Sequence, residues 1–316
     1  FNITFADVEG NLGWQTTGRL PIRNYGNGTV PVDANRHPDT WTGWVPYEET
    51  PRQYGSPKDW IGNANHNTVK KDYPYYYSSY FSPYYRYQRL KELMALPGKK
   101  TVEDHWRYQR DDLNVFARRI APILVKTLLS NPETEEMAHI LQKWDYHDRI
   151  DSVATSIFQA IYRHLAKLTY EDELGSDLAA TMLDTWYFWQ ERLETMIVEG
   201  NSPWFDVVST SAKQETLTDL IQLAAAKAKD ELSGQLGSDI NSWTWGKVHQ
   251  INNPNPLRRK GFGKDWLGGG SRPMGGSGET LYRSLYGFNK PDDIKYTAAM
   301  RMVADLSDEE KVVAVM

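Results

Sequence analysis

No cysteine occurs among the 316 residues, which excludes disulfides and thiolate metal sites and leaves the redox compartment open. No apolar run approaches the roughly 18 to 20 residues of a membrane-spanning helix. The stretch FNITFADVEG has none of the features of a secretory signal and reads as structure. An excess of basic charge is missing too: the formal net charge is -5, so a phosphate-tracking surface for nucleic acid is not expected. The one short basic cluster, Arg258-Arg259-Lys260, reads as a solvated loop. No two histidines form a His-x-x-x-His pair with a catalytic glutamate, which excludes that zinc-hydrolase arrangement.

What the chain has in quantity is aromatic side chains, 12 Trp and 19 Tyr, in a composition that is 40% hydrophobic and 24% charged. That balance belongs to a globular protein long enough for one large domain or two ordinary ones. Residues 1 to about 60 alternate short apolar runs with turn signals, predicting short strands; Phe1, Ile3 and Phe5 lead to a turn at Glu9-Gly10-Asn11. From Thr101 the period becomes helical. Thr101 and Asp104 resemble a capping box, and Trp106, Leu113, Phe116, Ile120, Leu124 and Leu128 continue one apolar stripe. Further helices are expected over Pro132–Trp144, along Val153 to Leu168, over Leu178–Ile197, and from near Ser211 to Leu232. Beyond Gly234 the glycine-rich Gly261–Gly278 predicts extended turns, and Lys295–Leu306 alternates like one strand. The chain thus divides into a β-rich part at 1–100, a helical insertion at 101–233 and a β-rich return at 234–316.

Several stretches invite a chemical reading. Gly275-Gly276-Ser277-Gly278-Glu279-Thr280 lacks the Lys-Ser/Thr of a nucleotide phosphate loop. Asp145-Tyr146-His147-Asp148 is polar enough for an ion but reads as a solvated helix end, and Asp7, Glu9 and Asn11 read as a hairpin turn rather than a calcium loop. Glu48-Glu49, taken as adjacent strand residues, would face opposite sides and so make no glycosidase pair. The triplets at Asn2 and Asn27 are N-glycosylation signals that fit a secreted protein. There remains IGNANHNTVKKDYPYYYSSYFSPYYRYQR, where Asn63, Asn65 and Asn67 precede a tyrosine block and Arg86. A side-chain amide can donate to the oxyanion of a tetrahedral intermediate, and an arginine can fix that amide. From the residues alone the alternative stands that the three asparagines cap turns.

The order of the pieces carries a resemblance. FADVEGNLGWQTTGRLPIR (Phe5 to Arg23), GWVPYEETPR (Gly43 to Arg52), IGNANHNTVKKDYP (Ile61 to Pro74), YYRYQRLKELM (Tyr84 to Met94), RDDLN (Arg110 to Asn114), WTWGKVH (Trp243 to His249) and GGSGETLYRS (Gly275 to Ser284) follow one another as in the β subunit of the penicillin acylase family. The resemblance implies an α+β N-terminal nucleophile hydrolase fold, a four-layer αββα sandwich present in part, with a helical insertion. It implies a linear acyl-amide hydrolase working through an acyl-enzyme, whose nucleophile is an N-terminal Ser, Thr or Cys freed by autoproteolysis. By motif position Asn65 falls on the oxyanion-hole asparagine, with Asn63 as an alternative, and Arg86 on the arginine that organises the site.

No residue here matches the nucleophile, since Phe1 is none of these types; it is expected on a companion chain of the same precursor, beside an α subunit, and this chain alone is expected to be inactive. The resemblance implies no cofactor for the chemistry. A structural calcium contact of the family would fall near Gly28 and near Tyr75, where this chain has tyrosines in place of an aspartate. It also implies an extracellular or periplasmic, cell-envelope location and a small acyl-amide substrate. The rival expectation is an aromatic-rich secreted module that binds carbohydrate or an envelope structure without catalysis.

Overall fold

The computed structural model describes residues 1–56, 58–210, 212–253, 267–268 and 270–308, with the backbone of 312–315. Ser211 and the cluster Arg258-Arg259-Lys260 lie outside the described residues. The chain divides into two compact units, 1–102 with 302–314, and 103–301 with 315–316.

In the first unit β1 (Asn2–Ala6), β2 (Leu12–Thr16) and β5 (Arg52–Tyr54) form an antiparallel sheet in the order β1-β2-β5. The expected hairpin turn joins the first two: Asp7 carboxylate oxygens accept from the backbone of Glu9 and Asn11 and from Asn11 Nδ2. Gly13 lets the strands approach: a Cβ there would lie 2.8 Å from the Gln53 carbonyl oxygen and against the Phe5 ring, so a side chain would force a shift. A separate ribbon pairs β3 (Pro21–Arg23) with β4 (Trp41–Trp44). Glu48 and Glu49 sit in a 3-10 turn, Tyr47–Glu49, and not in the strand assumed for them. A long irregular segment, with Trp14 as a buried floor beneath part of it, then leads to α1 (Tyr85–Met94).

The second unit is the helical one. Its core lies where α3 (Val115–Leu128), α5 (Val153–Leu174) and α8 (Leu217–Leu236) meet, with Ile120, Leu124, Ile157, Ile161, Leu220 and Ile221 all buried. Each such aliphatic side chain contributes about 1.5–3 kcal/mol. Ala224, Ala225 and Ala228 present only methyl groups on α8, which lets it lie close against α5. The two helices are also tied by Glu231, which accepts from Arg163 and meets His164 Nε2 at 2.7 Å.

Three expected helices are broken or begin elsewhere. The stripe from Trp106 to Leu128 is two helices, α2 (Val102–Tyr108) and α3, because Asn114 caps α3 by accepting from Ala117 N–H at 2.8 Å. The helix expected over Leu178–Ile197 is split into α6 (Ser176–Leu183) and α7 (Gln190–Glu199). There the Trp189 indole N–H takes the Leu183 carbonyl at 3.0 Å, one of the carbonyls a helix end leaves open. The last long helix, α8, starts at a capping box made by Thr216 and Asp219 rather than near Ser211. Between α3 and α5 runs α4 (Glu135–Gln142), inside the span expected for it, and α9 (Trp245–Val248) is one short turn.

Two hairpins close this unit, β6 (Gln250–Asn252) with β7 (Ser271–Pro273) and β8 (Ser284–Gly287) with β9 (Lys290–Thr297). The strand expected over Lys295–Leu306 is two strands, β9 and then β10 (Arg301–Ala304), which pairs with β11 (Val312–Val315). Gly276 lies at φ +76, and a Cβ would stand 1.9 Å from the Tyr282 carbonyl oxygen, so the turn before β8 tolerates no side chain.

The solvated helix end expected at Asp145–Asp148 is not what the chain builds. Asp148 is fully buried and accepts from Asn114 Nδ2 at 2.9 Å, while Ser277 Oγ donates to Glu279 at 3.0 Å and Gln190 Nε2 to the same carboxyl at 2.6 Å. The reason is packing: Gly276 N–H donates to the Asp148 carbonyl at 2.6 Å, which draws that loop under the glycine-rich turn.

Candidate functional site: an amide held at one end

The irregular segment before α1 is organised by its asparagines. Asn63 Oδ1 accepts from Asn65 N–H at 2.7 Å, and Asn67 Oδ1 accepts from Val69 N–H at 2.9 Å. These two do cap turns. Asn65 does something else. Its backbone is at φ +62, a left-handed conformation that asparagine tolerates better than most residues, and its carbonyl accepts from Ser82 N–H at 2.8 Å.

Arg86, in the first turn of α1 and 9% exposed, reaches into this turn. Its Nη2 donates to the Ala64 carbonyl at 2.8 Å, to Asn65 Oδ1 at 3.0 Å and to Ser82 Oγ at 3.0 Å. A guanidinium can only donate, so the Asn65 atom it touches is the amide oxygen and the amide nitrogen is turned the other way. Asn65 is exposed, and among the described residues its Nδ2 has no hydrogen-bond partner. The alternative donor is placed differently: Asn63 Nδ2 is buried without a partner, out of reach of solvent. Held this way, Asn65 can donate to an oxygen that gains negative charge outside the turn.

His66 follows directly, stacked on Tyr87 with ring centroids 3.7 Å apart. Burial, and then the Arg86 charge, hold its imidazole down to about pKa 4, so it is neutral near pH 7. A cavity of about 330 Å³ opens beside it, lined among others by Trp14, Trp60, Ile61, His66, Tyr84 and Tyr87. The earlier tyrosines of the block tie the segment back: Tyr75 hydroxyl donates to Glu49 Oε2 at 2.6 Å, Tyr73 hydroxyl to the Glu49 carbonyl at 3.0 Å, and Tyr77 hydroxyl to Asn2 Oδ1 at 3.2 Å. The hydrogen bond to Glu49 raises the Tyr75 pKa, and burial raises that of Tyr73.

The structure therefore brings together Asn65 and Arg86 as the sequence suggested. Ser82 and His66 belong to the same arrangement and were not singled out; the signal available was His66 inside Asn-Ala-Asn-His and tyrosines at 84 and 87, one helical turn apart. Near Tyr75, one of the two places where the resemblance puts a calcium contact, the Glu49 carboxylate accepts the tyrosine hydroxyl through one of its two oxygens. Among the described residues no three acidic or histidine side chains gather as a metal site.

The arrangement of helices and short sheets is one already known among hydrolases. A thermostable penicillin G acylase from Alcaligenes faecalis superposes with a TM-score of 0.56 at 17% identity, over 77% of this chain and 48% of that one. The α+β N-terminal nucleophile hydrolase class expected from the sequence thus holds for the fold. The chain belongs to the penicillin amidase family, matched over residues 1–316. It is 28% identical to the acyl-homoserine lactone acylase QuiP of Pseudomonas syringae pv. tomato, over 97% of this chain and 39% of that protein. Penicillin acylase 2 proenzyme of a Pseudomonas species is 25% identical over 97% of this chain and 39% of its own length. The chain spans about two fifths of the length of these curated relatives. No helix among the described residues is long and apolar enough to cross a membrane.

Proposed function

We propose that this chain is part of an acyl-amide hydrolase in which Asn65 donates its Nδ2–H to the oxyanion of the tetrahedral intermediate and Arg86 holds the amide in place. The nucleophile lies on another chain of the same precursor, so this chain by itself has no turnover. An α-amine at that nucleophile's own residue serves as base; such an amine titrates near 8 without help, which suits it to general-base work near neutral pH. The chemistry as proposed uses protein groups alone. Family membership and relatives named as acylases of acyl-homoserine lactones and penicillins, both acyl amides, support the substrate class. An extracellular or periplasmic location goes with this reading.

The observation that carries it is the one-ended hold on Asn65: Arg86 takes the oxygen at 3.0 Å and the exposed nitrogen remains available. An asparagine that served only the turn would have no need of a spare donor. Asn65→Ala in the full-length protein is expected to lower kcat by about a hundredfold or more, the usual cost of one oxyanion donor. Turnover that stays within a few-fold of the unsubstituted protein would overturn the role.

A further inference from the structure

The Asn65 turn rests on a seat that the oxyanion reading does not use. His66 is 6% exposed; besides its stack on Tyr87, with planes 17° apart, it meets the edge of Tyr84 at 5.6 Å. Tyr84 and Tyr87 flank Arg86 at the start of α1, so one helical turn supplies both the seat and the grip. On its other side His66 Nδ1 accepts from Ala64 N–H at 3.5 Å, while the Ala64 carbonyl is held by Arg86. Both polar groups of the residue before Asn65 are thereby fixed, one by each side chain. Asn65 itself stands in a left-handed conformation that costs an asparagine something to keep, so its neighbours must hold it there.

We propose that His66 is a positioning residue for the reaction: its neutral imidazole, accepting from Ala64 N–H while seated on Tyr84 and Tyr87, keeps the Asn65 amide aimed at the oxyanion. This rests on the acyl-transfer reading of Asn65. Only the neutral ring can do it, because a protonated ring would set an Nδ1–H against the Ala64 N–H. The groups facing the ring favour neutrality: Arg86 and Tyr87 come from α1 and Tyr84 from its N-cap, Lys58 lines the same cavity, and no carboxylate does so among the described residues.

Two substitutions in the full-length protein separate the acceptor from the ring, read with whichever acyl p-nitroanilide the unsubstituted protein turns over fastest. His66→Phe keeps the stack and removes the acceptor; kcat is expected to fall about tenfold with KM within about twofold and little change in melting temperature. His66→Asn keeps an acceptor at the Nδ1 position and removes the ring; kcat is expected within about threefold while the melting temperature falls. The proposal is overturned by a His66→Phe protein whose kcat stays within twofold, or by a folded His66→Asn protein that loses about tenfold or more. If His66→Phe does not fold, the Asn variant decides by that same criterion. Should Asn65→Ala keep its turnover, the acyl-transfer reading fails and takes this inference with it. Should Asn65→Ala lose turnover while His66→Phe keeps it, only the role of His66 fails.

Discussion

Asn114 in the second unit uses both ends of its amide. Its Oδ1 accepts from Ala117 N–H at 2.8 Å, and its Nδ2 donates to Asp148 Oδ2 at 2.9 Å and Ser277 Oγ at 3.4 Å, in a place no solvent reaches. Asn65 in the first unit has its oxygen held by Arg86 and its nitrogen exposed. The same side chain thus appears once as a fastener and once as a presented donor. What separates them is whether the amide nitrogen has a partner. An amide with both ends bound is part of the fold; one held only by its oxygen has a donor left for something outside.

Substitutions should split along that line. Asn114→Ala removes a helix cap and strips a buried carboxyl of its donor, so it is expected to cost about 3 kcal/mol of unfolding free energy, measured by urea titration. Asn65→Ala, at an exposed turn, should cost well under about 1 kcal/mol in the same titration.

The next largest effect is a loss of stability with rising pH at the fastener. Burial pushes Asp148 up to about 8 from its ordinary 3.8, against the lowering by its bonds to Ser277 and Asn114, with Glu279 and Asp112 adding to the rise. A carboxyl whose folded pKa is raised binds more protons folded than unfolded. Its contribution to stability is therefore complete below about pH 4 and is lost as pH climbs to about 8, at up to about 1.4 kcal/mol per pH unit. Asp148→Asn should flatten that slope in unfolding midpoints taken from pH 5 to 8; an unchanged slope would place the proton elsewhere.

Smaller effects are expected where the presented amide is supported rather than replaced. Arg86→Lys shortens the side chain, so its ammonium falls short of the place where Nη2 meets all three acceptors, and kcat of the full-length protein should drop about tenfold with KM little changed. Ser82→Ala removes one acceptor of Arg86 but keeps the backbone N–H that binds the Asn65 carbonyl, so the loss in kcat should be about twofold.

The two regions were not equally legible in the sequence. Asn65 and Arg86 could be placed because they sit in two ordered motifs, IGNANHNTVKKDYP and YYRYQRLKELM, and the structure brings them to 3.0 Å. RDDLN carried no chemical reading and GGSGETLYRS only that of a phosphate loop without its lysine, yet they meet across 163 positions at the Asn114–Ser277 contact. Periodicity could not foresee this: an asparagine that ends one apolar stripe and a glycine-rich turn carry no local sign of each other. The same limit explains the broken helices. Trp186 and Trp189 continue the helical spacing of Leu178 and Met182, yet α6 ends at Leu183, whose carbonyl takes the Trp189 indole N–H. His66 went unremarked for a related reason, since its partners Tyr84 and Tyr87 are close only once α1 packs against the turn.

The most direct test makes one chemical change at both asparagines. Asn65→Asp in the full-length protein keeps the oxygen that Arg86 holds and replaces the free donor by a second acceptor. It should fold with an unchanged or higher melting temperature while turnover of an acyl amide falls about a hundredfold or more. Asn114→Asp should instead lower the melting temperature, by setting a carboxylate beside Asp148. An Asn65→Asp protein that folds and still turns over its substrate at the original rate would contradict the claim that the exposed amide nitrogen does the chemistry.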